Sequence, residues 1–234
     1  MAPMDLMESY DPSAVPEDAN QEDLYFFKKT KVSSKKGSRM AVPIFETKIN
    51  YKDIYKVTLP NNLDGNGYWM YQESNKNVVM LCIEFKNETG FPFTTGSLFF
   101  RKNDGNKLQF LAQDQLNYTA AGGTTSPQMT LSADVTVIEK NTETSREEFR
   151  NKHNQLTYLV SVESQIDIIN FKPEAIDTEV KKMVAGTLGK SSVKWNYETR
   201  ITQDNNPQNQ VSWKLNVAAG EIASIVYSYQ YLTR

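Results

Sequence analysis

From residue 39 to the end of the chain, apolar and polar residues alternate with a period of two. Turn residues interrupt this pattern about every 8–12 residues, which is typical of β-sandwiches and β-barrels. The alternation is cleanest at residues 211–217, where Trp213 and the apolar residues two positions away on either side share one face. The pattern therefore predicts an all-β fold with Trp213 in its core.

Turn signals place the individual elements. Asp104 and Gly105 separate two strand-like runs at residues 96–102 and 107–113, and an Asp-Gly pair in that position is typical of a β-hairpin. Residues 143–151 are rich in charge and have no apolar alternation, so we predict a short surface helix there. Further strands are predicted at residues 78–87, 132–139, 156–171, 176–185, 193–202 and 221–232.

Three segments are predicted along the chain. Residues 1–22 are acidic, contain three prolines and lack Lys and Arg, a composition that predicts a disordered tail. Asn87 and Asn170 each end a predicted strand, and a proline follows each of them closely. This echo favours an internal duplication. We therefore expect two packed antiparallel β-sandwich-like units, at residues 23–137 and 138–234.

Composition narrows the classes of function. The chain has 26 Lys and Arg against 28 Asp and Glu, so it lacks the positive field that holds a nucleic acid. No apolar run approaches the roughly 20 residues of a transmembrane helix, so no transmembrane segment is expected. The single cysteine, Cys82, lies in the apolar run 78–83. That position predicts a buried thiol rather than a reactive one.

Candidate catalytic and metal-binding groups are scarce. The only histidine, His153, has no local motif around it, and one histidine with one cysteine excludes a zinc site built from nitrogen and sulfur ligands. Residues 61–67 and 203–207 carry oxygen groups that suit calcium, but they lack the ordered acidic spacing of a calcium loop. We interpret both as turns and predict no catalytic residue, no cofactor, no metal site and no enzymatic activity.

Several short segments, taken in order, resemble a known family. They include Asn87 ahead of a Pro/Thr/Gly turn at 92–96, Asp104-Gly105 between strands, and Trp213 ahead of Ala-Gly-Glu at 219–221. Together with residues 23–27, 37–45 and 51–55, they resemble the C-terminal domain of the bacterial mucoidy inhibitor A-like proteins, a domain of unknown function. The resemblance spans residues 23–234 and implies a β-sandwich region. In relatives, this region follows an N-terminal domain and a coiled coil, and the family implies no catalytic residues.

The functional hypothesis is a non-enzymatic β-sandwich module, envelope-associated or extracellular, that acts by protein–protein contact or self-association as a structural or assembly subunit. A first alternative is a carbohydrate-binding module. Tyr68, Trp69 and Tyr71 lie beside the polar loop 61–67, and aromatic side chains stack on sugar rings. These three residues are the candidate ligand or partner contacts. A second alternative is a hydrolase that uses carboxylates or a bound metal.

Overall fold

A computed structural model describes residues 33, 35–39, 42–64, 67–70, 77–105, 107–150, 154–200 and 205–233, and these residues contain no helix. The predicted all-β fold is confirmed. The predicted tail at residues 1–22 lies outside the described residues. The strands are β1 (Tyr51–Leu59), β2 (Val79–Lys86), β3 (Gly96–Asn103), β4 (Leu108–Leu116), β5 (Thr124–Thr125), β6 (Gln128–Leu131), β7 (Val135–Arg150), β8 (Leu156–Asn170), β9 (Ile176–Ala185), β10 (Thr187–Ser191), β11 (Trp195–Arg200), β12 (Gln208–Val217) and β13 (Ile222–Thr233).

Contacts divide the chain into two compact units, Met1–Lys48 and Ile49–Arg234. In the first unit, a turn forms where the Ser38 N–H donates to the carbonyl oxygen of Lys35 at 3.0 Å. In the second unit, the strands form three sheets. A seven-stranded sheet has the order β11-β12-β9-β1-β2-β5, with β6 also on β2, a four-stranded sheet has the order β10-β13-β8-β7, and β3 pairs with β4 alone.

The hydrophobic core combines residues of the seven-stranded and the four-stranded sheets. Trp213 of β12 is fully buried, as its alternation predicts, and its ring centroid lies 5.2 Å from that of Tyr227 on β13. The Trp213 indole N–H donates to the Ser191 hydroxyl at 3.0 Å, so burial leaves no polar atom of the ring unpaired. Valine and isoleucine side chains from β7, β8, β9 and β12 also belong to the core, as do apolar and tyrosine side chains from β1 and β13. Burial of each such side chain stabilises the fold by about 1.5–3 kcal/mol.

Asn87 and Asn170 have matching roles. Both are fully buried. Each side-chain amide donates at 2.8–3.3 Å to three backbone carbonyls, the first of them four residues downstream: Phe91, Thr119 and Ala120 for Asn87, and Glu174, Val217 and Ala218 for Asn170. Each Oδ1 accepts the backbone N–H two residues later, from Thr89 and Lys172. The echo seen in the sequence is therefore a repeat in the structure.

The repeat extends to the turns that these asparagines hold. An Ala-Ala-Gly turn follows each of the strands β4 and β12, and its glycine, Gly122 or Gly220, has a positive φ of 79° or 70°. The chain after each turn then pairs antiparallel with the strand that leads into the asparagine, as β5 and β6 do with β2 and as β13 does with β8. We refer to β1–β6 as the first half and to β7–β13 as the second half, because their strands correspond in this way.

A parallel pairing joins the two halves. Strand β1 pairs with β9 from Tyr55↔Thr178 to Leu59↔Lys182, whereas the other pairings among the described strands are antiparallel. This junction makes one continuous sheet from strands of both halves. Consequently, the two units expected at residues 23–137 and 138–234 share a sheet within Ile49–Arg234, and the expected boundary falls inside β7.

The predicted surface helix at residues 143–151 is wrong. Residues up to Arg150 belong to β7, which pairs with β8 along its whole length, with a register shift between Glu143 and Ser145. The stretch carries charge because much of it is exposed, not because it forms a helix. Cross-strand pairing with β8 decides its conformation, a long-range interaction that local propensity does not report.

Candidate functional site

Strands β3 and β4 form a two-stranded ribbon. Its turn is the predicted Asp104-Gly105 hairpin, which is confirmed. Gly105 has a positive φ of 74°, and the Asp104 N–H donates to the Lys107 carbonyl at 3.1 Å. Because the ribbon pairs with no third strand among the described residues, both of its outer edges are open. An isolated two-stranded ribbon is marginally stable in water, so this one depends on other contacts.

The ribbon exposes large apolar side chains. Leu108 is 66% exposed and Phe110 is 58% exposed, and Phe99 and Leu111 are also exposed. The rings of Phe99 and Phe110 lie 6.4 Å apart, so they form one patch across the two strands. The Arg101 guanidinium lies 5.8 Å from the centroid of the Phe99 ring. Contiguous apolar surface of this kind is typical of protein-interaction sites.

An apolar cavity of about 300 Å³ lies between the ribbon and the seven-stranded sheet. It is lined by Ile49, Tyr51, Ile83, Phe85, Phe100, Arg101, Leu111 and Met129. Ile83 and Phe85 precede Asn87 by the same spacing at which Ile166 and Ile168 precede Asn170. In the second half those two isoleucines are fully buried, whereas Ile83 and Phe85 are only half-buried. The interior of the first half is therefore less completely covered.

A second exposed region is the loop between β1 and β2. Tyr68 and Trp69, two of the predicted contact residues, are each about half exposed, whereas Tyr71 lies outside the described residues. The Tyr68 N–H donates to the Asp64 carboxylate at 2.9 Å. Gly67, with φ of 85°, approaches the Leu232 carbonyl so closely that a Cβ atom would lie 2.3 Å from its oxygen. The loop backbone thus lies against the end of β13.

Trp69 also contacts a tyrosine of the sheet beneath it. Burial raises the pKa of the Tyr231 phenol, and a hydrogen bond with the Trp69 side chain opposes this rise. The positive charge of Arg146 also lowers the pKa of the Tyr231 phenol, and the negative charge of Glu143 raises it. Arg146 forms an ion pair with Glu143, and its guanidinium lies over the Tyr158 ring at 5.6 Å. Aromatic, cationic and anionic groups therefore lie together at this end of the four-stranded sheet.

A buried polar network links the two large sheets. The Lys182 ammonium donates to the Glu139 carboxylate at 2.8 Å and to the Pro60 carbonyl at 2.6 Å, and the Tyr227 hydroxyl donates to Glu139 at 2.9 Å. Lys182 is 3% exposed, and burial lowers the pKa of its ammonium. Among the described residues, no buried side-chain nitrogen or oxygen lacks a partner. The network is thus closed and satisfied, as expected for a structural element.

Tyrosines of β13 make stability sensitive to alkaline pH. Burial, followed by the negative charge of Glu139, raises the pKa of both Tyr227 and Tyr229 above 10. Above pH about 10, unfolded tyrosines lose a proton that the folded state retains. The free energy of unfolding should therefore fall with rising pH, by about 1.4 kcal/mol per pH unit for each such tyrosine.

The Tyr229→Phe variant tests this expectation. It removes one of the titrating groups, so its unfolding free energy should fall less steeply, by about 1.4 kcal/mol per pH unit. Urea unfolding at several values from pH about 10.5 to 12, where unfolded tyrosines are mostly ionised, measures the slope. Parallel slopes for the variant and the wild type would show that Tyr229 ionises equally well in the folded state.

Cys82 is buried, as predicted. It is 1% exposed, and burial raises the pKa of its thiol. It lines a polar groove of about 360 Å³ on the other face of β1 and β2, where the Lys56 ammonium pairs with Glu179 at 2.9 Å and donates to the Ser126 hydroxyl at 2.6 Å. The Lys56 ammonium is therefore already paired within the chain.

Other candidates from the sequence are not brought into a site. His153 lies outside the described residues, as do parts of the loops 61–67 and 203–207. Within the described part of the chain, no group of three or more His, Cys, Asp or Glu residues is placed to hold a metal ion. No helix in that part is long and apolar enough to cross a membrane. The chain matches no protein-family model, no curated protein and no solved structure.

The exposed ribbon is the feature that sequence reasoning missed. Its signal was present, because Leu98, Phe99 and Phe100 are consecutive, as are Phe110 and Leu111. Apolar residues at successive positions of a strand point to both faces of the sheet, so one of the faces must be covered by something else. Alternation locates the strands but does not identify what covers their second face.

Proposed function

We propose that the chain is a non-enzymatic interaction module that binds protein partners through the apolar ribbon β3–β4. The observation that carries the proposal is the exposure of Leu108 and Phe110 on a ribbon whose two edges are open among the described residues. Open strand edges offer backbone donors and acceptors, and the apolar side chains offer contact area. The cavity beside Phe100 and Leu111 adds a concave surface next to them.

Two lysine substitutions on the ribbon test this proposal. In the double variant Leu108→Lys and Phe110→Lys, binding would bury two charges in an apolar contact, so recovery of partners should fall about tenfold or more. The control is Ile222→Lys, which alters an apolar residue of 59% exposure on β13. Affinity enrichment from extracts of the source cells, quantified for the three proteins, provides the measurement.

The enrichment results for the wild type and the two variants distinguish binding through the ribbon from binding elsewhere. Proteins, including further copies of the chain, that are enriched by the wild type and by Ile222→Lys but lost with the ribbon variant support the proposal. Enrichment of the same proteins by all three would place the contact elsewhere. Melting curves for the ribbon variant, expected to match those of the wild type because both residues are exposed, exclude unfolding as the cause of a loss.

Glycan binding is the second candidate function, favoured by the exposure of Tyr68 and Trp69 on a loop fixed against β13. Fixed aromatic rings lose little entropy when a sugar stacks on them. On a glycan array, Trp69→Ala should lose binding that Tyr197→Ala keeps, because Tyr197 is an equally exposed aromatic residue on β11. An array with no signal for the wild type would reject this function.

We also propose an envelope-associated or extracellular setting and a relationship to the bacterial mucoidy inhibitor A-like proteins. The support is the sequence resemblance described above, together with the β-sandwich arrangement of the strands. Within that resemblance, Asn87 and Gly220 belong to the repeated turns, and Trp213 lies in the core. Fractionation of the source cells, followed by detection of the full chain, tests the setting.

A further inference from the structure

The structural repeat shows which strands of the ribbon correspond to strands of the second half. Phe93 lies six residues after Asn87 and bridges to Thr119, while Ile176 lies six residues after Asn170 and pairs with Val217. Both contacts are antiparallel, and each leads into an Ala-Ala-Gly turn. Strand β3 therefore corresponds to β9, and β4 corresponds to β12.

The two halves differ in what covers these strands. In the second half, β11 pairs antiparallel with the outer edge of β12, from Trp195↔Trp213 to Arg200↔Gln208, and β1 pairs with the outer edge of β9. In the first half, no strand among the described residues pairs with either outer edge of the ribbon. The outer edge of β12 is thus covered by β11, whereas the corresponding outer edge of β4 is open.

The open edge of β4 lacks the charged side chains that usually oppose pairing. Exposed edge strands generally carry charged side chains or proline, which prevent another strand from adding to them. Strand β7, also at a sheet edge, has seven charged residues, and both β7 and β4 contain a register shift. Strand β4 has one charged residue, Asp114, and its carboxylate already accepts the Gln128 N–H at 2.6 Å. The remainder of β4 therefore has no charge that would repel an added strand.

We propose that β4 pairs antiparallel with β4 of a second copy of this chain, which gives a four-stranded sheet across a two-fold axis. This inference deepens the proposed function and rests on it, because it names the partner of the ribbon. The added strand would take the place that β11 takes on β12. It would bring the exposed Leu108 and Phe110 of both copies to one interface.

Self-complementarity favours a second copy over another occupant. A two-fold axis places a residue of β4 opposite a residue of the same strand, so the strand must be compatible with itself. Glutamines at positions 109, 113 and 115 meet this condition, because an amide both donates and accepts hydrogen bonds. Strand β3 does not meet it, since Arg101 and Lys102 would face like charges in the second copy.

Light scattering coupled to size exclusion tests the pairing with the purified full chain. The wild type should show twice the monomer mass as its concentration rises to about 100 µM, and the variant Phe110→Lys should remain monomeric. The control Tyr197→Lys, which adds the same charge on edge strand β11, should dimerise as the wild type does. A monomeric wild type at every concentration, or a dimeric Phe110→Lys variant, overturns the inference.

Cysteine scanning tests the geometry. Single cysteines at positions 109, 111, 113 and 115 should form disulfide-linked dimers most readily at the position nearest the axis, because a disulfide requires Cα atoms about 5–6 Å apart. The buried Cys82 should not compete. Absence of a preferred position, or equal cross-linking of a cysteine at position 197, overturns β4 pairing. A monomeric wild type that still enriches other proteins through the ribbon would reject the second copy while leaving the proposed function intact.

Discussion

The Asn170→Asp variant should lower the free energy of unfolding by about 3–5 kcal/mol. The Asn170 amide donates to the carbonyl oxygens of Glu174, Val217 and Ala218, and its side chain is fully buried. Aspartate has almost the same shape but has no N–H to donate, so a carboxylate would face three carbonyl oxygens. Each buried acceptor that loses its donor costs about 1–3 kcal/mol.

Denaturant unfolding of the variant and the wild type measures this loss. The control is Asn196→Asp, which makes the same chemical change at an exposed position of β11 and should alter stability by less than about 0.5 kcal/mol. Asn87→Asp should be destabilising like Asn170→Asp, since Asn87 holds the matching turn. A loss of less than about 1 kcal/mol at both buried positions would contradict the structural role assigned to the repeat.

The Lys182→Met variant should also be strongly destabilised, by about 3–5 kcal/mol. It leaves the Glu139 carboxylate without the ammonium that lies 2.8 Å away and the Pro60 carbonyl without its donor. Breaking a buried ion pair from one side leaves an uncompensated charge, which costs more than the pair itself contributes. The matched control is Lys181→Met, at the preceding position of β9, where the partly exposed ammonium lies 3.5 Å from the Glu179 carboxylate.

A double variant separates the charge from the packing. Lys182→Met combined with Glu139→Gln removes the buried charge while the amide oxygen still accepts the Tyr227 hydroxyl. It should therefore be more stable than Lys182→Met alone, as measured by denaturant unfolding. Equal stability of Lys182→Met and Lys181→Met would show that the network is not a link between the sheets.

Much of the fold follows from short-range sequence features. The Asp104-Gly105 hairpin was predicted because its turn residues act locally, and burial of Trp213 was predicted because alternation along one strand defines its face. The repeat was visible because Asn87 and Asn170 each end a strand, although the sequence did not reveal the hydrogen bonds that each makes.

The remainder depends on contacts between residues distant in the sequence. The parallel pairing of β1 with β9 joins segments more than 100 residues apart, and no local pattern encodes it. Residues 143–150 form a strand because they pair with β8. The local sequence, from which a helix is predicted, does not report that pairing. The proposed contact surface could not be predicted for the same reason. Whether Leu108 and Phe110 are exposed depends on which strands cover the ribbon, and the sequence does not show this. Tyr68 and Trp69 are predicted as contacts because they lie beside a polar loop, which is a local feature.

Thiol labelling of a cysteine on the ribbon tests the central proposal most directly. Because Cys82 is buried, a labelling reagent should react with a single introduced cysteine and not with Cys82. Leu108→Cys should react rapidly in dilute purified protein and at least about tenfold more slowly in concentrated purified protein or in extract that supplies partners, while Ile222→Cys should react at the same rate in all three. Equal rates for Leu108→Cys in all three conditions would contradict the assignment of the ribbon as the protein-binding surface.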